Sequence, residues 1–281
     1  MTTKADYKSL DLQGVPETML WPLWNRAAEM RRKNRLIDDP ISAELVERID
    51  YDFRRNFGSP SVLHAIRARY SDDLVRKYIK NCKGRPTVIG LGDGIDTQAW
   101  RIDDPSVQWV SVDVPQAIKV RRNLLPKHAN AMLIESSALS PSWFSEVSVE
   151  APPFVSAAGL MMYFEEREVA CLLAMIADWF PDATVFFDTI PPIFSRKTMR
   201  GYKLTKHYTA PPMPWGVEVD EVASFINQVP GIRSVSAKTY AEPYPDRLRI
   251  YHWLSRFRSF RRLAPGLVLA KAYRKTAEGY T

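Results

Sequence analysis

Nothing in this chain approaches the roughly 18 consecutive apolar residues that a membrane span requires, so an integral membrane protein is not expected. Cysteine is scarce. Cys82 and Cys171 are the two present, too few for a disulfide framework and without the spacing of a zinc site. No metal centre is expected, and a reducing cytoplasm is the simplest address. The stretch Met1 to Leu12 is polar and carries Asp6 and Asp11, which argues against a signal peptide. Internal repeats and low-complexity tracts are also absent, so a solenoid or a linker-dominated chain is not expected.

What is present fits one large domain, or a core domain with a helical lid. The length is 281 residues and 46% of them are apolar, enough to fill a sizeable core. The 39 Lys and Arg outnumber the 32 Asp and Glu. An excess of this kind suits an anionic partner or simply a solvated surface. The basic residues are scattered, in Arg31-Arg32-Lys33, Arg54-Arg55, Arg121-Arg122 and Arg256 to Arg262, with no interleaved aromatic stacking motif. Nucleic acid is therefore not expected as a partner, whereas a small acidic substrate is compatible with the charge. Nothing in the sequence sets an oligomeric state.

Residues 1–82 read as helical. Leu23 to Lys33 and Ser42 to Ile49 carry apolar residues at helical spacing, and Pro40 sits near the start of the second. In Ser61 to Lys80, Val62, Ile66, Tyr70, Leu74 and Tyr78 recur at every fourth position. Gly84-Arg85-Pro86 breaks the chain. Short apolar runs follow at Thr87 to Leu91, Trp109 to Val112, Met132 to Ile134, Phe154 to Ala157 and Thr184 to Phe187, with a helix from about Glu166 to Trp179. Strands alternating with helices predict a parallel sheet of βαβ units over residues 83–281. Val235 to Ala237 and Val268 to Tyr273 are placed as a late antiparallel pair. Residues 190–217, rich in proline, aromatics and basic residues, interrupt the alternation. They read as an insertion over the C-terminal edge of the sheet, where open α/β sheets bind ligands.

The chemistry-bearing residues begin directly after the first strand. Gly90, Gly92 and Gly94 allow a tight turn and a close approach of ligand to backbone. Ile95 occupies the place where a dinucleotide fingerprint has its third glycine, which argues against a bound pyrophosphate. About 20 residues on, Asp113 ends the second strand, where nucleotide-binding sheets place a ribose carboxylate. Asp113 also suits a helix N-cap before Val114-Pro115. Asp96 and Thr97 carry the same ambiguity, and Asp96 could instead neutralise a cationic cofactor group.

Six stretches then resemble one family in order and spacing: GLGDGIDTQAWR from Gly90, WVSVDVP from Trp109, RRNLLP from Arg121, SALSPSW from Ser137, GLMMYF from Gly159 and PMPWG from Pro212. The family is that of the leucine carboxyl methyltransferases, and the branch resembled is the bacterial polyketide O-methyltransferases of the tetracenomycin type. The resemblance covers about residues 15–240. It implies an α/β fold of the class I methyltransferase kind: a Rossmann-like, mostly parallel sheet, an N-terminal helical lid and a lid insertion after the fifth strand. It implies S-adenosyl-L-methionine as cofactor. Arg67 would meet the methionyl carboxylate, and Gly90, Gly92 and Gly94 would line the methionine part. Asp113, with Val114 beside it, would hold the ribose. Ser137, Ala138 and Leu139 would flank the adenine, and Tyr163 would stand at the methyl-transfer site. Two positions depart from the family pattern. Ala158 stands where many members have a glutamate beside the cofactor, and Gln98 where an arginine is frequent.

Met161, Met162, Tyr202, Tyr208, Met213 and Trp215 are the expected substrate pocket, a broad apolar slot. Lys203, Lys206 or Arg196 would steer an acidic substrate. His207 is the candidate base should the acceptor be a phenol. The expected reaction is O-methylation of a carboxylate or acidic hydroxyl on a small polyketide-like molecule, a natural-product acid or phenol. Methylation of a protein C-terminal carboxylate or of tRNA is the alternative within the family. A protein that binds the cofactor as scaffold without transferring methyl, as a pericyclase does, is the alternative that Ala158 raises.

Overall fold

The computed structural model describes residues 15–273. The Met1 to Leu12 stretch lies outside the described residues. So do residues 274–281, the tail of the expected sheet domain.

A single 3-10 turn, Val15–Met19, leads into α1 (Leu20–Glu29), which buries Leu20, Leu23 and Ala27. Helix α2 (Pro40–Arg48) starts where proline occupies the first turn and the Asp39 side chain accepts the Ser42 amide, a capped start legible in the residue types. After the short α3 (Phe53–Phe57) comes α4 (Leu63–Asn81), the longest helix described. The fourfold stripe of α4 does what its spacing predicts. Val62, Ile66, Tyr70, Leu74 and Tyr78 pack in one apolar cluster with Val88, Phe154 and Phe186 of the sheet. Thus α4 is a layer on the sheet itself, while α1 to α3 cluster around Ile95, Leu124 and Tyr208.

The sheet begins with β1 (Thr87–Leu91), buried along its whole length as a central parallel strand should be. Then follow α5 (Gln98–Ile102), β2 (Gln108–Asp113), α6 (Pro115–Leu124), β3 (Ala131–Glu135) and β4 (Phe154–Ala157). Helix α7 (Glu166–Trp179) starts with a reciprocal capping box between Glu165 and Glu168. Next come β5 (Thr184–Thr189), α8 (Pro192–Met199), α9 (Val222–Asn227) and β6 (Ile232–Thr239). The short helices α10 (Arg249–Leu254) and α11 (Arg258–Arg261) precede β7 (Gly266–Ala272).

The strand order is β3-β2-β1-β4-β5-β7-β6, with β1 to β5 parallel and β7 antiparallel to both β5 and β6. The chain winds outward from β1 in one direction and from β4 in the other. The strand ends at that reversal form the crevice where such sheets take ligands. The segment 190–217 leaves the end of β5, carries α8, makes one bridge between Lys203 and Thr209, and closes at its neck where the Val217 amide donates to the Ile190 carbonyl at 2.9 Å.

Candidate functional site

A cavity of about 510 Å³ opens at the reversal point, over the C-terminal ends of β1, β2 and β4. Its floor is the glycine loop. Gly92 and Gly94 adopt φ of +59° and +48°, which L side chains rarely take. A Cβ on Gly92 would also lie 2.6 Å from the Leu160 side chain. Asp113, ending β2, accepts the Gly94 amide at 2.9 Å and the Val114 amide at 2.8 Å. Val114, not Asp113, is the N-cap of α6, so the capping role considered for Asp113 is not what the geometry shows. Burial raises the Asp113 pKa against those two amides and Arg121. The carboxylate is thus held in place with lone pairs left for a ligand on the cavity side.

Behind the loop lies a lattice of buried charge. Arg26 of α1 reaches Asp39 at 3.0 Å and the Ile95 carbonyl at 3.1 Å. Arg101 of α5 reaches Asp72 at 2.9 Å and Asp96 at 2.8 Å. Thr97 and Ser42 hydroxyls donate to Asp39, and the Gln98 amide donates to Asp72. Gln98, the departure from the family pattern, is therefore a tie between α5 and α4. Asp96 answers its desolvation with Arg101 and Arg26, which hold its pKa far below the ordinary range. Asp96 lines the cavity, and it shares Arg26 and Arg101 with Asp39 and Asp72. Thr97 is the N-cap of α5 without a side-chain cap bond, while the Asp96 carboxylate accepts the Gln98 backbone amide at 2.8 Å.

The structure brings most of the expected cofactor residues to this cavity: Arg67, Gly90, Gly92, Gly94 and Asp113, and with them Val114, Ser137, Ala138 and Ala158. Leu139 is not among them, since it packs against the sheet core. Arg67 donates to Asp188 at 2.9 Å, and Asp188 also accepts the Gly159 amide and the Tyr240 hydroxyl. Despite its burial, Arg67 is firmly cationic because of Asp188.

The far end is apolar. Met162 and Met213 pack with Ile190, Tyr163 and Phe194, and all five line the cavity. Burial raises the Tyr163 pKa, partly opposed by its hydrogen bond with Thr18. The other pocket candidates are elsewhere. Met161 and Trp215 are in the sheet core, Trp215 against Phe187 and Phe225. Tyr208 is buried against Phe57 at 4.9 Å, and Tyr202 sits behind Phe194 at 5.4 Å. Large apolar side chains gain most from complete burial, which is why residue type alone misplaced them. His207 is exposed and outside the cavity, as are Arg196, Lys203 and Lys206, so neither base nor steering cations reach it from those positions.

Sequence reasoning missed Asp93, His64, Trp21, Thr18 and Phe194, all on the cavity wall. Asp93 accepts the Ser111 hydroxyl at 2.9 Å, while its other oxygen has no partner among the described residues. Burial pushes its pKa up to about 7, Arg121 pulling down and Asp113 pushing further up. His64 lies three positions before Arg67, so the two share one helix face. With Ala68 and Ser71 they form the cavity-facing stripe of α4, a spacing from which Arg67 could have pointed to His64.

The chain is similar to known proteins along most of its length. The leucine carboxyl methyltransferase family model matches residues 20–177. The chain is 30% identical to the tetracenomycin polyketide synthesis O-methyltransferase TcmP of Streptomyces glaucescens, over 80% of this chain and 83% of that one. It is 28% identical to the S-adenosyl-L-methionine-dependent methyltransferase dpfgK of Gibberella zeae, over 64% and 66% of the two chains. Among solved structures, a protein of Thermobifida fusca YX assigned provisionally as a methyltransferase aligns with a TM-score of 0.57 at 14% identity, covering 95% of this chain and 98% of that one. It shares the fold.

Proposed function

The chain belongs to the leucine carboxyl methyltransferase family and is an S-adenosylmethionine-dependent methyltransferase; we propose that it methylates a carboxylate or acidic hydroxyl oxygen of a small polyketide-like molecule. The observation that carries this reading is one cavity with two unlike ends. A glycine-and-carboxylate end joins an aromatic and methionine-lined end that bears no acid.

The residues present fit the cofactor. The glycine loop turns at positive φ through Gly92 and Gly94 along the cavity, and Asp113 is anchored by two amides with acceptor capacity to spare for a ribose diol. Arg67 would take the methionyl carboxylate, as a guanidinium fork suits. Ser137 and Ala138 would flank the adenine, Gly90 and Gly94 would lie along the methionine, and Ala158 would leave space beside it. When bound, S-adenosylmethionine supplies an electrophilic methyl on a sulfonium. The protein's share of catalysis is then to hold the acceptor oxygen in line and to exclude water. Tyr163, at the junction of the two ends, would border the transfer path. A carboxylate acceptor arrives ionised and needs no base, which agrees with the absence of a histidine base at positions 190–217 of the wall.

The test is transfer of a tritiated methyl to a panel of flat aromatic acids and phenols. A carboxyl product is a methyl ester that releases methanol in mild base, whereas a phenol ether does not. For a carboxylate, the single-turnover rate should be flat between about pH 6 and 8, well above the ordinary carboxyl pKa. A rate rising tenfold per pH unit there, with a base-stable product, would move the acceptor to a phenol. No product from either class, with S-adenosylhomocysteine still bound, would refute the small-molecule assignment.

A further inference from the structure

Asn25, buried on α1, decides where the proton sits on a histidine of the cavity wall. The backbone amide of Ser61 donates to Asn25 Oδ1 at 2.9 Å. Only the oxygen of a carboxamide can accept that bond, so the orientation of Asn25 is fixed. Its Nδ2 then faces His64 Nδ1 at 2.5 Å and must be the donor. Nδ1 therefore carries no proton, and in the neutral ring the proton belongs to Nε2. Burial first, then Arg67 and Arg26, hold the ring well below the ordinary histidine pKa, so it stays neutral. The edge of the ring is fixed by Trp21, centroids 5.2 Å apart. No hydrogen bond to Nε2 is made by any described residue, and His64 lines the cavity on the same helix face as Arg67.

We propose that His64 binds the acceptor: its Nε2–H donates to the acceptor oxygen, so that the cavity selects a flat aromatic carboxylate and rejects an amine. This rests on the methyl-transfer reading above. The tautomer makes His64 a donor and not a base, which suits an acceptor that has no proton to lose. The carboxylates on the cavity wall, Asp93, Asp96 and Asp113, all come from the glycine loop and the end of β2. An ammonium beside His64 would meet only another donor, whereas an anionic oxygen accepts the Nε2–H.

The test uses the full protein with S-adenosylhomocysteine as cofactor probe, and naphthoate and naphthylmethylamine as acceptor probes. Calorimetry should show naphthoate, and not the amine, binding to the S-adenosylhomocysteine-loaded wild type. His64→Leu should weaken naphthoate by about tenfold or more, the size of a hydrogen bond to a charged group. His64→Gln, which keeps a donor, should recover part of the loss. S-adenosylhomocysteine affinity should be unchanged in both variants, which also shows that they fold. Nitrogen NMR of histidine-labelled protein at neutral pH should find His64 protonated at Nε2 and bare at Nδ1, with the Nε2 signal moving when naphthoate is added. An Nδ1-protonated or cationic ring, no binding of naphthoate to the loaded wild type, or equal naphthoate binding by wild type and His64→Leu would each overturn the proposal. Failure of S-adenosylhomocysteine to bind the wild type would instead defeat the methyl-transfer reading, and this one with it.

Discussion

At its strand end the cavity is walled by charge already spent: Arg26, Arg101 and Arg121 are engaged with Asp39, Asp72, Asp96, Asp93 and backbone carbonyls. At the other end Met162, Ile190, Phe194 and Met213 offer shape and no charge. The first end is rigid because removing any one ion strands its partners in low dielectric. The second is adaptable because methionine and aromatic contacts are non-directional and methionine is flexible. A donor common to many reactions belongs in the first kind of wall, and an acceptor that differs between relatives belongs in the second.

The sharpest way to break that contrast is Arg101→Met. It leaves Asp72 and Asp96 without their main counter-charge and should cost about 3–5 kcal/mol of stability, read by urea unfolding. A loss of under about 1 kcal/mol, the worth of a surface ion pair, would mean the lattice is not what ties α4 and α5 to the loop. Next in size, Asp113→Ala should weaken S-adenosylhomocysteine binding by about 1.5–3 kcal/mol without unfolding the chain. Unchanged affinity in calorimetry would remove Asp113 from the ribose.

A smaller effect separates two carboxylates three residues apart. Asp93, with its pKa raised to about 7, holds a proton in the folded chain that the unfolded chain gives up near 4. Its contribution is therefore present at acid pH and lost as pH rises through 7. Asp96 has the opposite sign, its contribution being lost only as the solution becomes acidic. Asp93→Asn should accordingly gain thermal stability on the wild type between about pH 5 and 8; melting curves that run parallel across that range would contradict it. Smallest of all, His207→Ala should leave the methyl-transfer rate and its pH profile untouched, since the ring is outside the cavity. A collapse of the rate would bring that segment into the site.

The same contrast explains what could be read from the sequence. The glycine loop, Asp113 and the α4 stripe are local signals: a strand, a tight turn and a helical period each occupy a few consecutive positions. The seven strands followed from such patterns, including the late antiparallel pair. The apolar end joins the Met161–Tyr163 turn to the segment 190–217, far apart in the chain. Residue type there does not separate wall from core. Met162 faces the cavity while Met161 beside it is core, and Tyr202 sits one layer behind Phe194. His64 was hidden for a related reason, because its role depends on Asn25, 39 positions away.

The central claim is that one cavity holds the cofactor over the glycine loop and the acceptor against Met162, Phe194 and Met213. A crystal structure of the S-adenosylhomocysteine complex tests it most directly. The account predicts the ribose hydroxyls on the Asp113 carboxylate, the amino-acid carboxylate on Arg67 and the sulfur turned toward Tyr163. A ligand whose ribose lies away from Asp113, or whose sulfur points away from the apolar end, would contradict it.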